Sequence, residues 1–516
     1  MKLGALASEL TRARLVGDSE IDVTSVHYDS RETDDGGLFA AIPGSQRDGH
    51  DFIAQAVANG AAAVLVSDLK AVPSGVSALL VADPRLALAE VATLLAGRPT
   101  AEMRVVAVTG TNGKTTCSFL VDSILREAGR KTGVIGTIEY RIGDDVIPST
   151  LTTPEAPDLQ RMFRQMRAAG VSDVVMEVSS HALALHRVEG VDFACGIFTN
   201  LTQDHLDFHA DLEEYGAVKS LLFTHHLPRT NAPAVINVGD NLGRTLASTI
   251  PGRCLTYSLD PEFEPAIVPR KLELGTDGIR LDLHTPAGNL ELRSSMVGAF
   301  NALNIMASVG AAIALEIELE AIVRGVAALP LVRGRLETVP NELGYTVAID
   351  YAHTPDALQR VLQTLRELCN GRLICVFGCG GDRDRKKRPI MGRVAAELAN
   401  IAIVTSDNPR TENPQRIIED ILVGVASTGA SRRSVTGARE TDGYVVEPDR
   451  RNAIWMAIGL ARENDIVVIA GKGHEDYQIL GKEYFHFDDR EEASTALSEK
   501  KRALDEYGPV VDVYEG

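Results

Sequence analysis

The segment from Val105 to Thr116, Val-Val-Ala-Val-Thr-Gly-Thr-Asn-Gly-Lys-Thr-Thr, constrains the fold more than any other part of this 516-residue chain. Val105-Val106-Ala107-Val108 reads as a short buried strand, and the apolar spacing of KTTCSFLVDSILREAG reads as a helix. A strand that turns through glycines into a helix is the unit from which parallel sheets are built. The glycines let the backbone curl so that successive N–H groups face an anion, and the helix adds its positive end. Lys114 has the reach to meet the β- and γ-phosphates of ATP, and the Thr115 hydroxyl can ligate Mg²⁺. The common expression G-x-x-x-x-G-K-[ST] is broken, because Val108 occupies its first glycine position. The placement between strand and helix carries the assignment instead: Gly110, Thr111, Asn112, Gly113, Lys114, Thr115 and Thr116 form an ATP phosphate loop. A plain turn with a surface lysine leaves the paired threonines unexplained.

The rest of the chain extends this into an α/β protein of three domains, with expected bounds 1–99, 100–331 and 332–516. The first hundred residues alternate short apolar runs with helical patterns and end at the break Gly97-Arg98-Pro99-Thr100. The central part adds the strands VSDVVMEVSS and FACGIFTN. The last part, beginning near Val332, contains YTVAIDYA, RLICVFGCGG, IAIVTSD and DIVVIAGKG, each ending in a polar or glycine-rich turn. In open α/β sheets, ligands sit beyond the carboxyl ends of strands, so these turns are where chemistry is expected.

Composition excludes several classes of function. With 52 basic against 71 acidic residues the net charge is −19, which disfavours nonspecific binding to nucleic acid or an anionic membrane. A polyanionic ligand must then be met by a locally basic site. The first twenty residues carry charges within their apolar pattern and lack the uninterrupted run of a signal peptide. No membrane-length apolar run follows, so membrane insertion is not expected. Six scattered cysteines read as buried free thiols in a reducing cytoplasm.

Glu177 stands near the end of one strand, and Asp204 and His205 follow the next. Carboxylate and imidazole in those places can hold a second Mg²⁺, or else Glu177 caps a turn and His205 lies on the surface. His181 and His186 flank an apolar segment without the spacing of a zinc site. Lys219, within EEYGAVKSLLF, reads on its own as an ordinary lysine of an amphipathic helix. In the last third, the strand-end loops at 380–388, 407–410 and 471–475 are expected to converge in one crevice, with Arg383, Arg410 and Glu475 suiting a zwitterion that bears an extra carboxylate. The Lys386-Lys387-Arg388 run is expected to be a solvated face.

Taken together, these segments resemble the Mur ligase family, which builds the peptide of bacterial peptidoglycan. The resemblance spans nearly the whole chain: DSR at 29–31, LFAAIPG, DGHDF, VTGTNGKTT, LTTPEA, MEVSSHALALHRV, TNLTQDHLDFH, GAFNALN, VRGRLE, DYAHTPDAL, GCGGDRD, DNPRTENP and AGKGHED. It implies a small N-terminal α/β domain for the UDP end of the substrate, a central parallel-sheet ATPase of the phosphate-loop type, and a C-terminal Rossmann-like domain for the amino acid. Tyr28, Ser30, Ser45, Gln46 and Arg47 would touch the UDP portion of UDP-N-acetylmuramoyl-L-alanyl-D-glutamate, and Thr152, Thr153, Ser179 and Arg187 its muramoyl-peptide. Leu185 stands where some relatives have glutamine. Lys219 matches a lysine carried as an N-carboxylated carbamate, which would complete a Mg²⁺ site with Thr115, Glu177 and His205. Asn301, Asn304, Arg335, Asp350 and His353 match nucleotide-side residues.

The resemblance further implies that Arg383, Asp407, Asn408, Pro409, Arg410, Gly471 and Glu475 form a pocket for meso-2,6-diaminopimelate. That acceptor differs from lysine by a second carboxylate, which a guanidinium can pair bidentately. The alternatives are a lysine-adding or dipeptide-adding member of the family and a folylpolyglutamate synthase-like ligase. The last leaves the first domain and the Asp407–Arg410 loop unexplained.

Overall fold

The computed structural model describes residues 1–508 except 11, 45–46, 205–207, 251 and 276–277. Each expected strand forms, because each is a short apolar run closed by a polar or glycine turn. The first sheet runs Arg14–Val16, Ser77–Leu80, Ala63–Val66, Gly37–Ala40, Ser25–His27 in spatial order. It is parallel apart from the edge strand Arg14–Val16.

The second sheet has eight strands. Its first six, Cys254–Tyr257, Ala234–Asn237, Phe193–Phe198, Arg104–Thr109, Asp173–Glu177 and Thr132–Ile135, are parallel. Glu139–Ile142 and Asp145–Pro148 continue it antiparallel. The loop-bearing strand Arg104–Thr109 is thus flanked by Phe193–Phe198 and Asp173–Glu177, with Glu177 opposite Val108 and Phe198 opposite Thr109. Parallel register brings the three carboxyl ends to one edge, and the site is built there.

A further, mostly parallel sheet lies in the last third. Thr346–Asp350, Ile466–Ala470, Leu373–Phe377, Ile401–Val404 and Gly443–Val446 are parallel neighbours in that order, with the short Glu337–Thr338 antiparallel at the edge. The loops after four of these strands therefore open side by side, as their sequence positions predict.

The central part also holds a sheet outside the expected α/β pattern. Val268–Gly275, Gly278–Thr285 and Gly288–Ser294 form an antiparallel three-stranded sheet. Its period-two signal is present in Ile279, Leu281 and Leu283 and again in Leu290 and Leu292. These face a core shared with Leu120 and Ile124 of the loop helix and with Ile305 and Val309. The sheet thereby braces the helix that carries the phosphate loop. The six cysteines are free, as expected; Cys117, Cys195, Cys375 and Cys379 are buried, whereas Cys254 and Cys369 are only half-buried.

Candidate active site

The strand Arg104–Thr109 passes into the helix Lys114–Glu127 through two glycines that no other residue can replace without movement. Gly110 has φ +143°, and a Cβ there would lie 1.9 Å from Thr199 Oγ1. Gly113 has φ +88°, and its Cβ would meet Asn304 Oδ1 at 2.4 Å. Neighbouring strand ends pin the curl: Thr199 Oγ1 donates to Asn112 O at 2.6 Å, and Asn112 N donates to Asn200 Oδ1 at 2.9 Å. Lys114 Nζ folds back to donate to Gly110 O at 3.0 Å and Thr111 O at 2.8 Å. Burial pushes its pKa below the usual lysine value.

Lys219 departs most from its bare sequence reading. On the helix Leu212–Leu221 it is only 1% exposed, donating to Gly110 O at 2.9 Å with Nζ 4.5 Å from the Tyr215 ring centroid. Desolvation, and then the nearby Lys114 ammonium, drive its pKa well below the ordinary value. It is no surface lysine. Glu177, equally buried, accepts from Thr137 N at 2.8 Å and Thr137 Oγ1 at 3.0 Å.

The last third of the chain closes this site. Arg335 Nη2 donates to Thr115 Oγ1 at 3.0 Å, with its guanidinium over the Tyr351 ring at 4.9 Å. Asn112 Nδ2 donates to Asp356 Oδ2 at 3.0 Å. Asp350 accepts from Leu336 N and Ala352 N, both at 2.8 Å, and burial raises its pKa to about 6. Asn304 Nδ2 donates to Asn301 Oδ1 at 3.0 Å beside the loop. His353 hydrogen-bonds Tyr351 O through Nδ1 at 2.8 Å, and burial lowers its pKa. His205 lies outside the described residues, as do Ser45 and Gln46.

The residues expected along the muramoyl-peptide gather at the same edge. Thr152 and Thr137 share a hydroxyl hydrogen bond of 3.1 Å; Thr153 Oγ1 donates to Glu177 O at 2.8 Å and lies 3.4 Å from Ser179 Oγ. Arg187 donates to Thr153 O at 3.0 Å and pairs with Glu155 at 2.7 Å. Farther out, Tyr28 donates to Asp158 Oδ2 at 2.8 Å, Ser30 is buried with its hydroxyl on Gln55, and Arg47 is exposed.

A cavity of about 390 Å³ runs along the loop, Glu177, Lys219 and Arg335. A larger cleft of about 1230 Å³ contains Arg383, Asp407, Asn408, Arg410, Gly471 and Glu475. The two share Thr137, Thr152, Tyr351 and His353, so they are continuous. The expected convergence of the three C-terminal loops is therefore found. Arg410 adopts φ +51° and donates from Nη1 to Gly381 O at 2.9 Å. Asn408 Nδ2 donates to Glu475 Oε2 at 2.9 Å. Burial, and secondly the Asp407 charge, raise the Glu475 pKa to about 7. Arg383 is exposed at the cleft, and Pro409 lies buried within the same loop.

The solvated-face expectation for residues 386–388 is corrected in part. Lys386 is exposed, but Lys387 Nζ donates to His353 O at 2.8 Å. Arg388 has no exposed side-chain surface and pairs with Glu412 at 2.7 Å and Asp420 at 2.9 Å. Its partners lie 24 and 32 residues away on packed elements, which a charge run cannot reveal. Removing one member of such a pair strands the rest. Arg388→Met is expected to cost about 3 kcal/mol, the low end for a buried pair because both carboxylates are partly exposed. Chemical unfolding followed by the fluorescence of Trp455, the single tryptophan and a residue of this same part of the chain, measures it.

Thr137 joins the site without a signal of its own in the sequence. Tyr351, Asp356 and Lys472 lie within the segments DYAHTPDAL and AGKGHED, but nothing there singles them out, and only packing places them at or beneath the site.

Fold and loop together define a phosphate-loop α/β protein whose site is completed by an arginine from the last third of the chain. Three family models match consecutive stretches: the Mur ligase family catalytic domain over residues 22–95, the Mur ligase middle domain over 108–312, and the Mur ligase glutamate ligase domain over 334–473. The chain belongs to the Mur ligase family. It is 45% identical over 507 residues to UDP-N-acetylmuramoyl-L-alanyl-D-glutamate--2,6-diaminopimelate ligase of Geobacter metallireducens, covering 97% of this chain and 99% of that protein. It is also 45% identical to the protein of that name from Gloeobacter violaceus, over 93% of this chain and 95% of the other. A solved structure titled as the same ligase superposes with TM-score 0.68 at 31% identity, covering 97% and 99% of the two chains.

Proposed function

We propose that this chain is an ATP-dependent amide ligase that adds meso-2,6-diaminopimelate to the D-glutamyl γ-carboxylate of UDP-N-acetylmuramoyl-L-alanyl-D-glutamate in the cytoplasm. Residues 1–99 hold the UDP end, 100–331 the nucleotide and 332–516 the acceptor. The observation that carries this reading is the continuity of the phosphate-loop cavity with a cleft containing Arg410 and Glu475. A phosphoryl donor, a carboxylate and an incoming amine then meet in one enclosure. The names of the relatives support the choice of substrates. Among the described residues no helix is long and apolar enough to cross a membrane.

Carboxylate and amine at neutral pH form a salt, so the carboxylate must be activated. Its oxygen attacks the γ-phosphorus of ATP; the bond to ADP breaks and an acyl phosphate forms. The acceptor amine then attacks the acyl carbon and gives up a proton, the C–O bond to phosphate breaks, inorganic phosphate leaves, and an amide remains. Lys114 and Arg335 offset charge on the transferring group. Thr115, Glu177, His205 and Lys219 as its carbamate would hold Mg²⁺, which supplies charge compensation at the phosphates. The donor chemistry fits: Thr115 and Glu177 offer hard oxygens, and burial, then the Lys114 charge, push the Lys219 pKa down toward the neutral amine, the form that adds CO₂ to give an anion. Arg410 pairs the acceptor's distal carboxylate, and Glu475 meets its ammonium group.

An ADP-release assay with the UDP-linked dipeptide, comparing meso-diaminopimelate, L-lysine and D-alanyl-D-alanine, tests the proposal. Turnover with the first alone is expected. No turnover with any acceptor overturns the ligase reading, and a preference for lysine overturns only the acceptor. A pH series adds a second check. Glu475 must be ionised to hold an ammonium group, and its pKa is raised to about 7. The acceptor KM should therefore rise as pH falls through about 7, and Glu475→Gln should flatten that dependence.

A further inference from the structure

We infer that Lys472 is a positioning residue for the acceptor amino acid, acting through Asn408 on Glu475. The inference rests on the reading of the cleft as the acceptor site. Lys472 is fully buried beneath that cleft. Its Nζ donates to Asn408 Oδ1 at 2.8 Å and to Tyr477 O at 2.7 Å, and lies 3.3 Å from Asp407 Oδ1. Two of its N–H donors go to Asn408 and Tyr477, and the Asp407 carboxylate pairs its charge. With no exposed surface, Lys472 does not reach a ligand in the cleft, and it acts on the groups that do.

The consequence lies in Asn408. A carboxamide can be turned end for end with little change of shape, so its orientation must be imposed by neighbours. Lys472 Nζ and Ile479 N, at 3.0 Å, both donate to Oδ1. That fixes Oδ1 inward and leaves Nδ2 to donate to Glu475 Oε2 at 2.9 Å. In the opposite orientation an NH₂ group would face two donors, and an oxygen would face the Glu475 carboxylate. Lys472 also offsets the Asp407 charge, which stands close enough to Glu475 to oppose its ionisation. One buried cation thus orients Glu475 and favours the anionic form that receives an ammonium group.

The test is a double-mutant cycle on the full-length enzyme. Lys472→Met keeps the stem and removes the charge. It is expected to raise the KM for meso-diaminopimelate at least about tenfold, the cost of a buried polar group losing its partner. The KM values for ATP and for the UDP-linked dipeptide should stay within about twofold. In a Glu475→Gln background the same change should raise the acceptor KM less than about threefold, because the group it positions is already gone. Lys472→Gln, which retains an amide donor toward Asn408, should recover part of the loss, and it replaces Lys472→Met in the cycle if that variant does not fold. An equal factor in both backgrounds, or an equal rise in the KM for ATP, overturns the positioning role. A Glu475→Gln enzyme with an unchanged acceptor KM instead overturns the reading of the cleft.

Discussion

Lys219→Met is expected to lower kcat by about a thousandfold while leaving the KM for diaminopimelate near its original value. The lysine lies 1% exposed under the phosphate loop, hydrogen-bonded to Gly110 O, and it does not line the acceptor cleft. Two lysines crowd this enclosure, and a divalent cation beside both ammonium groups would be repelled. Burial and the Lys114 charge resolve the conflict by driving the Lys219 amine toward its neutral form. A neutral amine adds CO₂ and releases a proton, so an uncharged group becomes an anion able to hold the divalent cation that offsets phosphate charge. Methionine keeps the packing and forbids this chemistry. Single-turnover ADP formation measures the effect. Removing dissolved CO₂ should slow the unmodified enzyme and bicarbonate restore it, whereas the variant should respond to neither. A variant that keeps activity within tenfold, or an unmodified enzyme indifferent to CO₂, contradicts the assignment.

Arg410→Ala is expected to reduce kcat/KM for meso-diaminopimelate roughly a hundredfold, about 3 kcal/mol, and to change it little for L-lysine. The Arg410 side chain is held in place. Its backbone sits at φ +51°, its N–H donates to Ile479 O at 3.1 Å, and its Nη1 is tethered to Gly381 O. Such anchoring reduces the entropy lost when the guanidinium pairs with a carboxylate. Lysine lacks that carboxylate, so it has nothing to lose from the substitution, and discrimination should collapse. Arg410→Lys should restore little, because an ammonium group lacks the planar two-pronged geometry. Competition between the two acceptors in one assay reads the ratio directly; an unchanged ratio places the discrimination elsewhere.

Much of this site is legible in the amino-acid order alone. A glycine turn between an apolar strand and a helix obeys backbone sterics over a dozen residues, so Gly110–Thr116 can be read directly. The same holds for the polar ends of the parallel strands, since register alone brings them to one edge. The alternation at Ile279, Leu281 and Leu283 is equally local and marks the antiparallel sheet, although strand-and-helix alternation on either side of it draws the eye to an α/β pattern.

What cannot be read depends on partners far apart in the chain. Whether Lys219 lies on a surface or under a loop, and whether Arg388 is solvated or enclosed by Glu412 and Asp420, is a matter of desolvation, which has no local signature. The contact of Arg335 with Thr115 spans 220 positions and exists only because the last third of the chain packs against the glycine loop. Lys472 lies in a legible motif, yet its two hydrogen bonds and its ion pair inside the protein follow only from where Asn408, Tyr477 and Asp407 come to rest. Local sterics and periodicity thus set the elements and the glycine loop between strand and helix. Packing set which charges are buried, and with them the pKa values and orientations on which the chemistry depends.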